Sequence, residues 1–289
     1  MELYTFENIT SRRRVLKNRM MNILIYLTAF LALTPLILII ADAVVQGLPA
    51  LSLSFLFSTP VPVGYQGGGI APMIQGSAIM VAIASLISVP IGVTAGIFYS
   101  EWPESRISTL SSFSNDVLAE FPTMVIGIFA YATVVLATGT FSALAGGIAL
   151  GIIMIPIVAR TAEESLKAVP NSVKEASLAL GIPRWKTVIY VVMNTAKGGL
   201  ITGIILSIAR AAGETAPLIL TAGFSNSFVS NLLNPAGSIS YLIYYYGISP
   251  YSSWHAIAWG AALILIAIML SLSLTVRLIA NVRTGLEVA

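Results

Sequence analysis

Residues 201–222 read ITGIILSIARAAGETAPLILTA, an apolar run that nevertheless carries Arg210 and Glu214 one helical turn apart. The run is long enough to cross a bilayer, which takes ~20 residues of helix. An ionised side chain at the centre of a membrane helix costs at least ~2.5–3.5 kcal/mol. Such a pair persists where it faces a bundle interior or a watery path. The rest of the chain decides what the pair handles and what drives it.

The surroundings are of the same kind. Of 289 residues, 57% are hydrophobic and only 9% charged, against about a quarter charged in ordinary soluble domains. The mean hydropathy is +0.90. This is the composition of an integral membrane protein. The chain has no cysteine and one histidine, His255. That excludes disulfides, thiolate metal sites and histidine metal clusters. An intramembrane enzyme would need a nucleophile–base pair or metal ligands at depth, which one Arg–Glu pair does not supply.

Six apolar stretches are predicted to span the membrane, at about 20–45, 73–100, 117–137, 141–158, 198–224 and 254–279. Ala41-Asp42-Ala43 has the small-residue pattern of a signal-peptide cleavage site. The apolar run before it is far longer than the ~7–15 residues of a signal core, so it is read as a retained first span. Residues 46–72, with Pro49, Pro60, Pro62 and Gly67-Gly68-Gly69, read as an irregular loop. Residues 101–116 read as a short charged loop, and the third span is entered through Glu120 and Pro122. A basic arm over 1–19, a six-span transmembrane body over 20–280 and a tail over 281–289 complete the expected organisation.

The basic residues set the orientation. Of the 15 Lys and Arg, all but Arg210 lie in the N-terminal arm, the 101–116 loop, the 160–197 segment or the C-terminal end. Loops 46–72, 138–140 and 225–253 have none. Both termini and every basic loop are therefore expected on the cytoplasmic side. This partition accounts for the pI near 9.2 without nucleic acid. Trp254, Trp259 and the tyrosines of 241–251 are expected to form an outer interfacial belt, with His255 and Asp42 interfacial as well.

The long charged segment 160–197 reads as an elbow. Pro170 breaks one helix, and Ser172 with Glu175 three residues on has the pattern of a capping box that starts the next. Gly181 is placed as a left-handed helix terminus and Pro183 prevents continuation. A second short helix is expected near Arg184, carrying Trp185, Val188 and Ile189. The product has a small apolar tip and charged flanks. It suits either an amphipathic hairpin on lipid headgroups or a knob that enters a cytoplasmic partner.

Glu175-Ala176-Ser177, three residues, then Gly181 resembles the EAA motif of ABC importer permeases, with Ser177 in place of the second Ala and Asn194 where a Pro is common. Gly67–Ala71, Gly92–Ile97, Asn115–Leu118, Pro156–Thr161 and Ile208–Pro217 narrow the resemblance, over about residues 12–280, to phosphate-importer permeases of the PstA type. The Arg-Ala-Ala-Gly-Glu-Thr segment is similar to one in the sister PstC type. The resemblance implies an all-α, six-span type I importer permease of MetI-like fold in the cytoplasmic membrane of a bacterium or archaeon. It implies that Glu175, Ala176, Ser177, Leu180, Gly181, Ile182 and Trp185 form a cytoplasmic coupling helix docked on an ATPase. The implied partners are a PstC-type permease, a PstB-type ATPase dimer, a PstS-type extracytoplasmic phosphate-binding protein, phosphate and membrane lipid. No cofactor is expected in this chain. It has no G-x-x-x-x-G-K-[ST] loop, so ATP and magnesium belong to the ATPase.

Under this reading Arg210 lies 13 residues past Lys197, about 20 Å along the helix at ~1.5 Å per residue. Its planar guanidinium fits phosphate oxygens bidentately, and Glu214 competes for the same fork. The alternative is a structural ion pair that fixes span five against its neighbours. Arg160, which ends span four, is either a second phosphate contact at the cytoplasmic exit or a positive-inside anchor. Asp116 and Glu120 are its expected neighbours. The competing functions are a permease for sulfate or molybdate, and an ion-coupled secondary transporter using Glu214. The latter has no need of an ATPase-docking elbow.

Overall fold

The computed structural model describes residues 3–63, 65 and 67–284, with side chains placed within 12–275. Residues 285–289 of the expected tail lie outside the described residues, as do Met1 and Glu2. The described residues are helical with no strand. Five helices are long and apolar enough to cross a membrane, and a bent pair supplies the sixth span.

The first helix, α1 (Leu3–Gly47), runs 45 residues. The basic arm is its opening turns, because nothing between residues 3 and 19 is a Gly or Pro that would interrupt it. Among its described side chains, the buried ones are at its far end: Ala43 is buried, and Gly47 lies against the backbone of Trp259. Its large side chains from Val15 to Ile39 are exposed, as suits a lipid-facing helix. A short helix, α2 (Leu53–Phe57), interrupts the expected irregular loop, with the Ser52 hydroxyl accepting from the Phe55 N–H.

The centre of the bundle is α3 (Ala71–Glu101) against α6 (Ala143–Lys167). A Cβ at Gly92 would sit 2.7 Å from the Cβ of Val158, and one at Gly96 2.6 Å from that of Ala162. The two backbones meet at distances only glycine allows. In lipid, this close packing supplies the association that hydrophobicity cannot.

Between them the expected third span is broken. Helix α4 (Arg106–Glu120) and helix α5 (Thr123–Thr138) meet at 103°. The 101–116 stretch is thus mostly helix, not loop. Phe121, before Pro122, is extended at φ −64° and ψ 135°, as the proline ring requires of the residue preceding it. Asn115 on α4 is buried and donates to the Pro156 carbonyl of α6. Near its middle α5 widens into a π-helical turn over Tyr131–Val135.

The elbow helix α7 (Asn171–Ala179) leads into α8 (Arg184–Ala212), which includes a π-helical turn over Thr187–Val192. The second arm of the elbow is therefore the start of span five, not a separate short helix. Span five then stops at Gly213 and resumes as α9 (Ala216–Thr221). The uncharged 225–253 region holds a helix, α10 (Ile239–Gly247), before the last helix, α11 (Ser252–Thr284).

The two long uncharged segments, 46–72 and 225–253, meet at one end of the bundle. Phe55, Ile70, Met73, Ile239, Leu242, Tyr246 and Ile257 form one buried cluster there. Tyr246 stacks on Trp254 with centroids 4.3 Å apart. Part of the expected interfacial belt is thus core, although Tyr244, Tyr245 and Tyr251 remain exposed. His255 Nε2 lies 2.7 Å from the Ser249 carbonyl in the same region.

Candidate functional site

Arg210 and Glu214 lie on either side of the break between α8 and α9. The Gly213 N–H bonds the Arg210 carbonyl at 3.1 Å and the Glu214 N–H the Ala211 carbonyl at 3.2 Å, a tightened last turn. A new helix then begins after Thr215, without a side-chain cap and with Pro217 near its start. A proline lacks the N–H that would continue the ladder. The pair is consequently not on one continuous helix, as the sequence suggested, but at a helix end facing a helix start.

Arg210 Nε lies 3.9 Å from Glu214 Oε1, with the arginine side chain 57% exposed and the glutamate 16%. That separation exceeds a direct hydrogen bond, so the guanidinium fork is not consumed by the pair. The backbone at Glu214 is fixed from outside: the Ser240 hydroxyl donates to its carbonyl at 2.8 Å. The loop around it is pinned to α3 as well. Gln75 Oε1 accepts from the Val229 N–H at 2.8 Å, and Ser77 Oγ accepts from the Ile239 N–H at 3.0 Å. The Glu214 backbone is therefore tied to Ser240, and the loop that carries Ser240 is tied to α3, while the arginine is exposed on α8 one turn beyond the exposed Leu206.

Arg160 sits elsewhere, on α6. Its guanidinium donates to Glu163 at 2.9 Å and lies 3.7 Å from Glu164. Glu163 is buried and also holds Lys167 at 2.6 Å. Asp116, Glu120 and Phe121 line an open cavity of about 650 Å³ beside Arg160. The structure does not bring Arg160 and Arg210 into a common ion-paired cluster.

The elbow takes a defined shape. Gly181 has φ +77°. Its N–H bonds the Leu178 carbonyl at 2.9 Å, and the Ile182 N–H reaches the Ser177 carbonyl at 3.4 Å. This is a Schellman turn, which satisfies the last carbonyls of α7. The capping box does not form. Helix α7 begins two residues earlier than a Ser172 cap would place it, at Asn171 after Pro170, and no side chain caps it. Proline at that position sets the extended entry itself, leaving Ser172 inside the first turn. Glu175, Ala176, Leu180, Gly181 and Trp185 are exposed, Ile182 is half-buried and Ser177 is buried. Leu180 is 81% exposed and Trp185 57%, so the tip is apolar and open.

Sequence reading missed Glu101. It ends α3 with its side chain 5% exposed and bonds Lys174 Nζ at 2.5 Å. Its partners lie 73 and 83 residues away in sequence, and no local pattern connects them.

A helical bundle with a loosely paired intramembrane Arg–Glu and an open apolar elbow on its charged face is a multi-pass transport permease. Residues 88–282 match the family of binding-protein-dependent transport system inner membrane components, and the chain belongs to that family. It is 40% identical over 268 residues to the phosphate transport system permease protein PstA of Pasteurella multocida, covering 92% of this chain and 95% of that one. A probable PstA of Methanocaldococcus jannaschii is 37% identical over 268 residues, covering 91% and 94%. Among solved structures, the inward-facing MetNI methionine ABC transporter superposes with a TM-score of 0.59 at 16% identity, over 73% of this chain and 95% of that chain. The last likeness is one of fold.

Proposed function

We propose that the chain is the membrane-spanning permease subunit of an ATP-driven phosphate importer. The observation that carries this is Arg210, an exposed guanidinium on an apolar helix face, held 3.9 Å from its acid at a helix break. An exposed cation at that depth cannot be left to lipid. It calls for a second permease, of the PstC type, across a shared polar path. A planar fork left open suits a tetrahedral oxyanion, and the relatives over nine-tenths of the chain carry phosphate transport in their names.

The remaining assignments follow from that reading. Arg210 and Glu214 form a gated anion site, with Arg160 a further cation toward the cytoplasmic exit. The elbow from Glu175 to Trp185 docks on a PstB-type ATPase, which holds the ATP and magnesium; this chain supplies no catalysis. A PstS-type receptor delivers phosphate to the uncharged outer loops. Both termini lie in the cytoplasm. Sulfate, molybdate and ion-gradient transport have no observation in their favour.

The test is uptake by proteoliposomes that hold both permeases and the ATPase, with receptor added outside. Labelled phosphate should accumulate only with ATP inside, and excess sulfate should not compete. Uptake driven by an ion gradient without ATP would sink the reading.

A further inference from the structure

We propose that Glu101 is a positioning residue that clamps both arms of the elbow to α3, so that movement of the docked ATPase reaches the centre of the bundle through α3. This rests on the reading of the elbow as the ATPase dock.

Glu101 is the last residue of α3 and is buried. One carboxylate oxygen bonds Lys174 Nζ on α7 at 2.5 Å. The other lies 3.7 Å from the guanidinium of Arg184, which opens α8. Arg184 also donates to the Glu101 carbonyl, and its guanidinium carbon stands 5.0 Å from the centre of the Trp102 ring. One carboxylate thus takes a cation from each side of the Gly181 turn.

A buried carboxylate is costly once its partners leave, so separating α3 from either arm is opposed. Below the clamp, Leu166, Val169 and Val192 form an apolar cluster with Ile97 of α3 and Val173 of α7. Apolar contacts of that kind hold the parts together without fixing their register. The charged contacts, being directional, do fix it. The covalent route from elbow to Arg210 passes through the π-helical turn of Thr187–Val192, a local departure from the regular ladder. The route through Glu101 enters α3 directly. From there the glycine contacts at Gly92 and Gly96 pass displacement to α6 without slack.

The experiment uses the full four-component transporter in proteoliposomes and reads phosphate moved per ATP hydrolysed. The Glu101→Gln complex should assemble and hydrolyse ATP yet lose most of that ratio. A wild-type ratio would overturn the clamp. A second variant guards against a folding defect. Because the chain has no cysteine, Glu101→Cys with Lys174→Cys can be bridged by a short bifunctional thiol reagent, each sample serving as its own control. The unbridged pair should be uncoupled and the bridged pair recoupled; a bridged complex that stays uncoupled overturns the proposal. Receptor-stimulated ATP hydrolysis, read on the same samples, separates the two readings. If the wild-type complex answers the receptor but moves no phosphate, the substrate assignment fails. The clamp is then judged by whether bridging restores that stimulation.

Discussion

Ser177 Oγ and Thr187 Oγ1 lie 2.9 Å apart, sealed between the two arms of the elbow. Both residues are buried. This gives the serine at position 177, where the related motif has alanine, a structural role: its hydroxyl ties α7 to the π-helical turn of α8. Thr187→Val leaves the Ser177 hydroxyl buried without this partner, at a cost of ~1–3 kcal/mol. Adding Ser177→Ala removes the orphaned group, and the double variant should recover most of the loss. Amide hydrogen exchange over 171–192 checks this. The single variant should exchange faster than the double one; equal protection would show that the contact adds nothing.

Gly181 stands at φ +77°, and nothing lies within 4 Å of a Cβ built there. The cost of replacing it is therefore backbone strain alone, ~1–2 kcal/mol for an ordinary L-residue and least for Asn. Gly181→Asn should keep ATPase association near wild type. Gly181→Val should weaken it and stop uptake while the permease still inserts. Full co-purification of the ATPase with Gly181→Val would mean that the turn does not shape the docking surface.

Ser227 and Ser172 are both exposed, one in the uncharged 225–253 region and the other on α7. With no native cysteine to interfere, Ser227→Cys should react with an impermeant maleimide in intact cells. Ser172→Cys should react only after the membrane is opened. The opposite pattern would invert the topology drawn from the basic residues.

The spans were legible because lipid leaves a coarse signal: long apolar runs between charged segments. Gly181 was legible because a helix stop between Leu180 and Pro183 demands a positive φ. The breaks were not. Pro122 marked an entry to span three, yet a 103° bend depends on where Asn115 finds the Pro156 carbonyl. Span five looked continuous because Gly213 and Pro217 each tolerate a membrane helix singly; the break also needs Ser240 to hold the Glu214 carbonyl. Ser172 had the capping pattern, but Pro170 fixed the helix start first. Glu101 resembled any loop acid, since its burial comes from partners on α7 and α8.

The break between Arg210 and Glu214 sharpens what each should do. On one continuous helix the two would ride together. Across a break, the arginine can turn toward an anion while Ser240 holds the Glu214 backbone in place. Hydrogen bonds to a charged group contribute ~1.5–3 kcal/mol each, and 1.4 kcal/mol is tenfold. Arg210→Gln removes the charge and the fork, so phosphate uptake should fall by roughly 10- to 100-fold or more although the complex assembles. Arg210→Lys keeps the charge without the planar fork and should retain partial uptake. Glu214→Gln should be milder than Arg210→Gln, because it removes the competitor that resets the site, not the cation that receives phosphate. Labelled-phosphate uptake with receptor, ATPase and partner permease present measures all three, with assembly checked by co-purification. Equal losses for Arg210→Gln and Glu214→Gln would return the pair to a purely structural role. Wild-type uptake by Arg210→Gln would remove Arg210 from the transport path.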